Sequence, residues 1–281
     1  MDIPWHSSDA WCPTTFIQFG EGLDTSMGTA RIETDAGQAY IKPLGNRQGP
    51  QLLAVEFVVT QLADWFGLPT LDHAIIEIDT DFDEIPLARG RMAQSGPAFV
   101  TRAVTAVTWG GSSEELKKVI NPEDFGQLVV FDNWVLNCDR HPPDLTARKP
   151  NYDNVLLEVL SSKKKSELRL LAMDHTHCLT CGRDLTPKIA TIDRFKDMRM
   201  YGLFPGFIPY IQQTSLAEAA EKLSQVDRAH VEEIVSFIPN KWEVDSETRK
   251  AMTDLIVSRA QFLTDHIEEQ ISRLCWPDEL Y

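Results

Sequence analysis

Asp139, Asn154 and Asp174 are the residues whose types and order could do chemistry in this chain. They fall in one stretch: FDNWVLNCDRH, a polar loop ending NYDN, the apolar run VLLEVL, a short charged turn, then LRLLAMDHT. Asp139 could accept or orient the proton of a hydroxyl. The carboxamide of Asn154 is a neutral oxygen ligand for a hard cation, and the Asp174 carboxylate is a charged one. A base followed by two such ligands is what metal-assisted phosphoryl transfer requires. Each residue is expected at the end of a packed element, so one core could hold all three within a few ångströms.

Two upstream residues extend the set. Lys42 ends a candidate strand, where a cation could hold the α- and β-phosphates of ATP. Glu56 lies on an apolar helix face with Leu52, Val55, Val59 and Ala63. A carboxylate there is costly without a cation, and Lys42 is the expected partner. The segment GEGLDTSMG, with Gly20, Gly22 and Gly28, could cover phosphates with backbone N–H groups. It matches neither of the common phosphate-loop spacings, and a plain loop would look the same. Asn151 is a rival to Asn154. Arg140 and His141 are expected to brace the loop rather than react. His175, His177, Cys178 and Cys181 bring four soft ligands together, but their spacing is too compressed for one tetrahedral zinc ion. They are expected to pack behind the metal-binding loop.

These side chains need a frame. The first hundred residues read as strand-rich: 16–19, then 29–34 and 38–42 around a turn at Asp35-Ala36-Gly37, then 73–78 and 97–101. Between them, 51–66 has helical apolar spacing, with Pro50 in its first turn and Gly67 as its stop. From about residue 103 the pattern turns mainly helical: a buried helix over 122–137, paired strands over 155–160 and 168–173, then helices over 214–224, 226–237 and 246–273. Asp245, Ser246 and Glu247 suit the start of the last helix. The expected class is α+β and bilobal. A small β-rich lobe over 1–101 carries the glycine loop, Lys42 and Glu56, and a larger helical lobe over 102–281 carries the catalytic and metal-binding loops.

With 281 residues, 43% apolar and 25% charged, the chain can build such a core. No apolar run reaches the roughly 20 residues that span a bilayer. The N-terminus MDIPWHSSDAWCP lacks a basic region followed by an apolar one, and the five cysteines form no regular framework. A reduced, cytoplasmic setting without a membrane is expected. A net charge of −15 disfavours nucleic acid as a partner, though not a nucleotide that arrives with magnesium.

The chain resembles the HipA-like kinases, distant relatives of protein kinases and phosphoinositide kinases. The resemblance runs through GQAYIKP, LLAVEFVVTQLADWFGLPT, FDNWVLNCDRH, LAMDHTHCL and FIPNKWEVD. It implies a protein-kinase-like fold and transfer of the ATP γ-phosphate to a hydroxyl, most often Ser or Thr of a protein. Lys42 and Glu56 would handle the phosphates, Asp139 would be the catalytic aspartate, and Asn154 and Asp174 would bind Mg2+. Phe99, Val100 and Thr101, with Arg102 after them, would lie near the adenine. Some members are toxins restrained by an antitoxin, and some silence themselves by phosphorylating a serine in the glycine loop, which points to Thr25 and Ser26. Two departures stand out. The usual pattern places the asparagine five residues after the aspartate, where this chain has Asp144, so PPDLTARKP reads as an insertion. Asn151 and Asp144 are then the alternatives to Asn154. His175 also stands where protein kinases carry Phe. A catalytically silent nucleotide-binding module, or a kinase of a small molecule or lipid, is the competing expectation.

Overall fold

The computed structural model describes residues 11–161 and 166–276. The charged turn between the paired strands and the extreme N-terminus lie outside the described residues. The chain divides into two compact units. One holds residues up to Ala54, Leu71–Val104 and Pro239–Glu243, and the other Val55–Thr70, Thr105–Ile238 and the residues from Val244 onward.

The first unit is built on β1 (Phe16–Gly22), β2 (Ala30–Thr34), β3 (Gly37–Leu44), β4 (His73–Ile78), a short hairpin of β5 (Pro86–Leu87) and β6 (Arg91–Met92), and β7 (Gln94–Arg102). Five of these strands form an antiparallel sheet in the order β1-β2-β3-β7-β4. Period-two alternation sets its face. Ala30 and Ile32 of β2 and Ala39 and Ile41 of β3 are fully buried and pack with Ile76, Ala98 and Val100. Each buried Ile or Val contributes roughly 1.5–3 kcal/mol. The Asp35-Ala36 turn joins β2 to β3 where the sequence places it. The β5–β6 hairpin carries no strand signal of its own, and its two-residue strands were not anticipated.

Helix α1 (Gln51–Phe66) contributes its first residues to the first unit and the rest to the second. Gly67 closes it at φ 83°, with the Leu68 N–H bonded back to the Ala63 carbonyl. The second unit continues with β8 (Ala106–Thr108), α2 (Ser113–Leu116), α3 (Asp124–Trp134), β9 (Leu156–Ser161), β10 (Ser166–Leu171), α4 (Ile192–Phe195), α5 (Gln213–Ser224), α6 (Arg228–Ser236), α7 (Ser246–Thr264) and α8 (Ile267–Cys275). The strands β10-β9-β8 form a second antiparallel sheet. The second unit is mainly helical, as expected after residue 103, and the sheet gains one strand the sequence does not signal: β8 pairs with β9 through Val107 and Leu157.

Every residue of α3 is buried, polar ones included, so its polar groups need partners inside the protein. Asn133 exchanges hydrogen bonds with Tyr201, Trp134 Nε1 donates to the Ile256 carbonyl at 2.9 Å, and Arg259 Nε donates to the Asn133 carbonyl. The single helix expected over 246–273 is two helices. Asp245 caps the first as anticipated, accepting from the Thr248 N–H at 2.7 Å. The break falls at Asp265 and His266, where the His266 N–H turns back to the Leu263 carbonyl. Neither a glycine nor a proline marks that break in the sequence. Among the described residues no helix is long and apolar enough to cross a membrane.

Candidate active site

Helix α3 ends without a glycine. Leu136 adopts a left-handed backbone at φ 55°, a conformation costing a β-substituted residue roughly 1–2 kcal/mol. The turn throws Asn137, Cys138 and Asp139 off the helix end. Asn137 anchors it: its side chain donates to Asp132 and accepts from the Asp139 N–H at 3.1 Å. Asp174 is the second left-handed residue of this region, also at φ 55°. It lies beyond β10 rather than directly on it, after Ala172 has bridged to Thr70. Leu179 and Cys181 share this conformation at φ 57° and 50°, and strain of this kind collects at functional sites.

One guanidinium joins the pieces. Arg140 and Asp132 are both fully buried, and Arg140 Nε donates to Asp132 Oδ2 at 2.8 Å. The two Nη atoms then donate to the carbonyls of Asn154 and Met173, the latter at 3.3 Å. The backbone at Asn154 and the backbone just before Asp174 are therefore held by the same planar fork. Burial pushes the Asp132 carboxyl up, and Arg140 and Asn137 pull against that rise.

Asn154 Nδ2 donates to Asp139 Oδ2 at 2.8 Å. That bond leaves the carboxamide oxygen as the atom available to a cation. The alternatives to Asn154 are engaged in local turns. Asn151 caps the short turn Tyr152–Asn154 by accepting from the Asp153 N–H, and exposed Asp144 accepts from the Thr146 N–H and hydroxyl. The other oxygen of Asp139 is paired with Arg148, Oδ1 to Nη1 at 2.9 Å. Glu56, only 3% exposed, is linked to Asp174 through Thr176. The Thr176 hydroxyl lies 2.7 Å from Glu56 Oε2 and 3.1 Å from Asp174 Oδ1, so its single proton serves one carboxylate at a time.

Glu56, Asp139, Asn154 and Asp174 thus stand on one connected network within the second unit. Lys42, the three glycines and residues 99–101 belong to the first. Lys42 is opposite Phe99 in the β3–β7 ladder. Phe99, Val100 and Thr101 are in the middle of β7, which pairs with β3 on one side and β4 on the other. Phe99 and Val100 are buried, Val100 within the core of the sheet, and Thr101 is half-buried. Gly20 and Gly22 are the last part of β1, where a Cβ on Gly20 would press on the Arg31 carbonyl at 2.9 Å. The loop closes on itself: the Leu23 N–H bonds to the Thr29 carbonyl, Gly28 N–H to the Thr25 carbonyl and Thr29 N–H to the Thr25 hydroxyl.

The donor set fits magnesium. Among the described residues no three His, Cys, Asp or Glu side chains gather as a cage for a metal. Magnesium takes one or two carboxylates and completes its shell with water and phosphate, and Asp174 with Asn154 offers that. His175 packs edge-on against Phe131, with ring centroids 5.7 Å apart.

Sequence reading missed Asp132, Arg148 and Thr176. It also missed a thiol pair next to Asp139. The interaction between the Cys138 and Cys181 thiols holds that of Cys181 down to about 7 and pushes that of Cys138 up. Iodoacetamide labelling followed by peptide mapping should therefore show Cys181 half-reactive near pH 7, with buried Cys138 and Cys178 silent. Labelling of Cys181 that sets in only above about 8.5, as for a free thiol, would contradict that lowering.

A family profile described as HipA-like kinase matches residues 32–274. The chain belongs to that family. Among solved structures, the Helicobacter pylori proinflammatory kinase CtkA is similar to this HipA-like kinase with a TM-score of 0.56 at 12% identity, over 93% of this chain and 99% of that one. That likeness shows a kinase-like fold. Hydra Fam20, in a structure with sugar, gives a TM-score of 0.49 at 10% identity, over 95% of this chain and 88% of that one. No match was found among curated proteins. Family and fold together make the chain a phosphotransferase of the kinase type.

Proposed function

We propose that this kinase transfers the γ-phosphate of ATP, with magnesium, to a serine or threonine hydroxyl of a protein. The observation that carries the reading is the Arg140 fork, which fixes Asn154 and the Asp174 segment together while Asn154 holds Asp139. Asp139 takes the hydroxyl proton. Asn154 and Asp174 would hold the cation, which when bound would supply charge neutralisation at the phosphates. Glu56 positions Asp174 through Thr176. Lys42 binds phosphate oxygens as a point charge, the glycine loop lies over the nucleotide, and residues 99–101 border its base. The displaced asparagine that would favour a silent module is supplied by Asn154. A toxin-type role with an antitoxin-like protein partner rests on family membership alone.

The test is transfer from γ-labelled ATP and magnesium to a panel of proteins, the chain itself included. Label on serine or threonine that disappears with Asp174→Asn supports the reading. ATP binding without transfer to any acceptor would leave a silent module, and transfer only to small molecules or lipids would replace the protein acceptor.

Self-phosphorylation has a place to occur. Thr25 is committed within its loop, its hydroxyl donating to Thr29 at 2.9 Å, whereas Ser26 is exposed. Ser26 shares a cavity of about 170 Å³ with Arg47, Arg89 and Arg91, cations suited to a phosphate dianion. After incubation with ATP and magnesium, intact-mass analysis should show one added phosphate that Ser26→Ala removes. Phosphate retained in that variant would move the site elsewhere.

A further inference from the structure

The segment that displaces the asparagine is not filler. Asp144 folds it into a tight turn, accepting from the Thr146 N–H and hydroxyl with its side chain and from the Ala147 and Arg148 N–H groups with its carbonyl. The far end is pinned where the Asn151 N–H donates to the Arg140 carbonyl at 2.9 Å. Between these anchors stands Arg148. Its Nη1 meets Asp139 Oδ1 at 2.9 Å and Cys138 Sγ at 3.4 Å. The Arg148 side chain is 39% exposed and the Asp139 side chain 18%. One arm of the guanidinium rests on the carboxylate, and the side chain stays part-exposed. The carboxylate therefore stands between a neutral amide from Asn154 on one oxygen and a cation on the other.

The neighbouring candidates for positive charge are unsuited. Arg140 is fully buried and engaged with Asp132 and two carbonyls. His141 packs its ring edge-on against Phe204 at 5.0 Å, and burial lowers its pKa, so it stays neutral. A phosphoryl group in flight spreads negative charge over its equatorial oxygens, and a fixed guanidinium is well shaped to meet it.

We propose that Arg148 is a catalytic residue, an arginine supplied in cis by the insertion, which contacts the transferring γ-phosphoryl group while anchored on Asp139. The proposal rests on the kinase reading above. In the step, the acceptor oxygen bonds to the γ-phosphorus as the bond from that phosphorus to the β–γ bridging oxygen breaks. The acceptor proton passes to Asp139, ADP leaves with the bridging electron pair, and Arg148 gains and loses no proton. Anchorage on Asp139 gives the guanidinium its position before the phosphate arrives.

The experiment measures kcat and KM for ATP in the full chain and in Arg148→Ala and Arg148→Lys, using the acceptor found with wild type, with circular dichroism to show that each variant is folded. Arg148→Ala should lower kcat by about 10³-fold, the low end for an arginine finger, with KM for ATP nearly unchanged. Arg148→Lys should recover only part of the loss, because the charge returns without the fork. Guanidinium ion added in solution should rescue Arg148→Ala and leave Arg148→Lys unaffected, which a purely structural role would not do. Unchanged or increased kcat in Arg148→Ala, or a loss confined to KM, overturns the proposal and leaves the kinase reading standing. A wild-type chain that transfers no phosphate to any acceptor overturns both.

Discussion

Asp139→Ala should lower phosphate transfer by roughly 10²–10⁴-fold, the contribution of a positioned general base, while the protein stays folded. The two halves of that expectation have separate origins. The rate should fall because Asp139 is the proposed base, a carboxylate just beyond the end of α3 with Asn154 on one oxygen and Arg148 on the other. The fold survives because the pair with Arg148 is partly exposed, and such pairs contribute at most about 1 kcal/mol. Steady-state transfer from γ-labelled ATP, read beside a thermal melt, checks both. Asp139→Asn is the sharper variant: it keeps the shape and loses the charge, so a variant that transfers at the wild-type rate would remove Asp139 from the chemistry. Nucleotide binding should survive either change, since Asn154 and Asp174 are the proposed metal ligands. Loss of ATP binding in Asp139→Asn would assign the carboxylate to the metal instead.

The sequence carries some parts of this arrangement openly and hides others. Strand alternation around Ile32 and Ile41 and the helical spacing ending at Gly67 report their elements because one face of each meets a core and the other does not. The order Asp139, Asn154, Asp174 stands out in the sequence because the proposed chemistry demands those side-chain types. Choosing Asn154 over Asn151 and Asp144 needs more than spacing. All three are polar loop residues, and only the fold shows two of them spent on turn caps while the third reaches Asp139. Helix α3 is harder still. It is buried all round, so it has no amphipathic stripe from which to tell Asp132 from a solvent-facing acid. Arg148 reads as a loop cation until the Asp144 turn aims it. Gly202 gives no signal either. It packs against Asp132, and a Cβ there would collide with that carboxylate, so its smallness serves a charge pair distant in sequence.

That charge pair is where the largest loss of stability is expected. Arg140 and Asp132 are both inaccessible to water, and removing one partner of such a pair strands the other at a cost of about 3–5 kcal/mol. A domain has only about 5–15 kcal/mol to lose, so Arg140→Ala should lower the melting temperature steeply, and Asp132→Ala should do the same by stranding the guanidinium. The pair Asp132→Leu with Arg140→Met separates charge burial from positioning. With both charges gone the burial cost is removed, and stability should return most of the way. Activity should not return with it. A thioether in place of the guanidinium has no donors for the carbonyls of Asn154 and Met173, so nothing holds those two segments in register. Denaturant melts and transfer rates on the three variants decide the matter. A double variant that is as stable and as active as wild type would show that the fork contributes burial and nothing to the placement of the metal ligands.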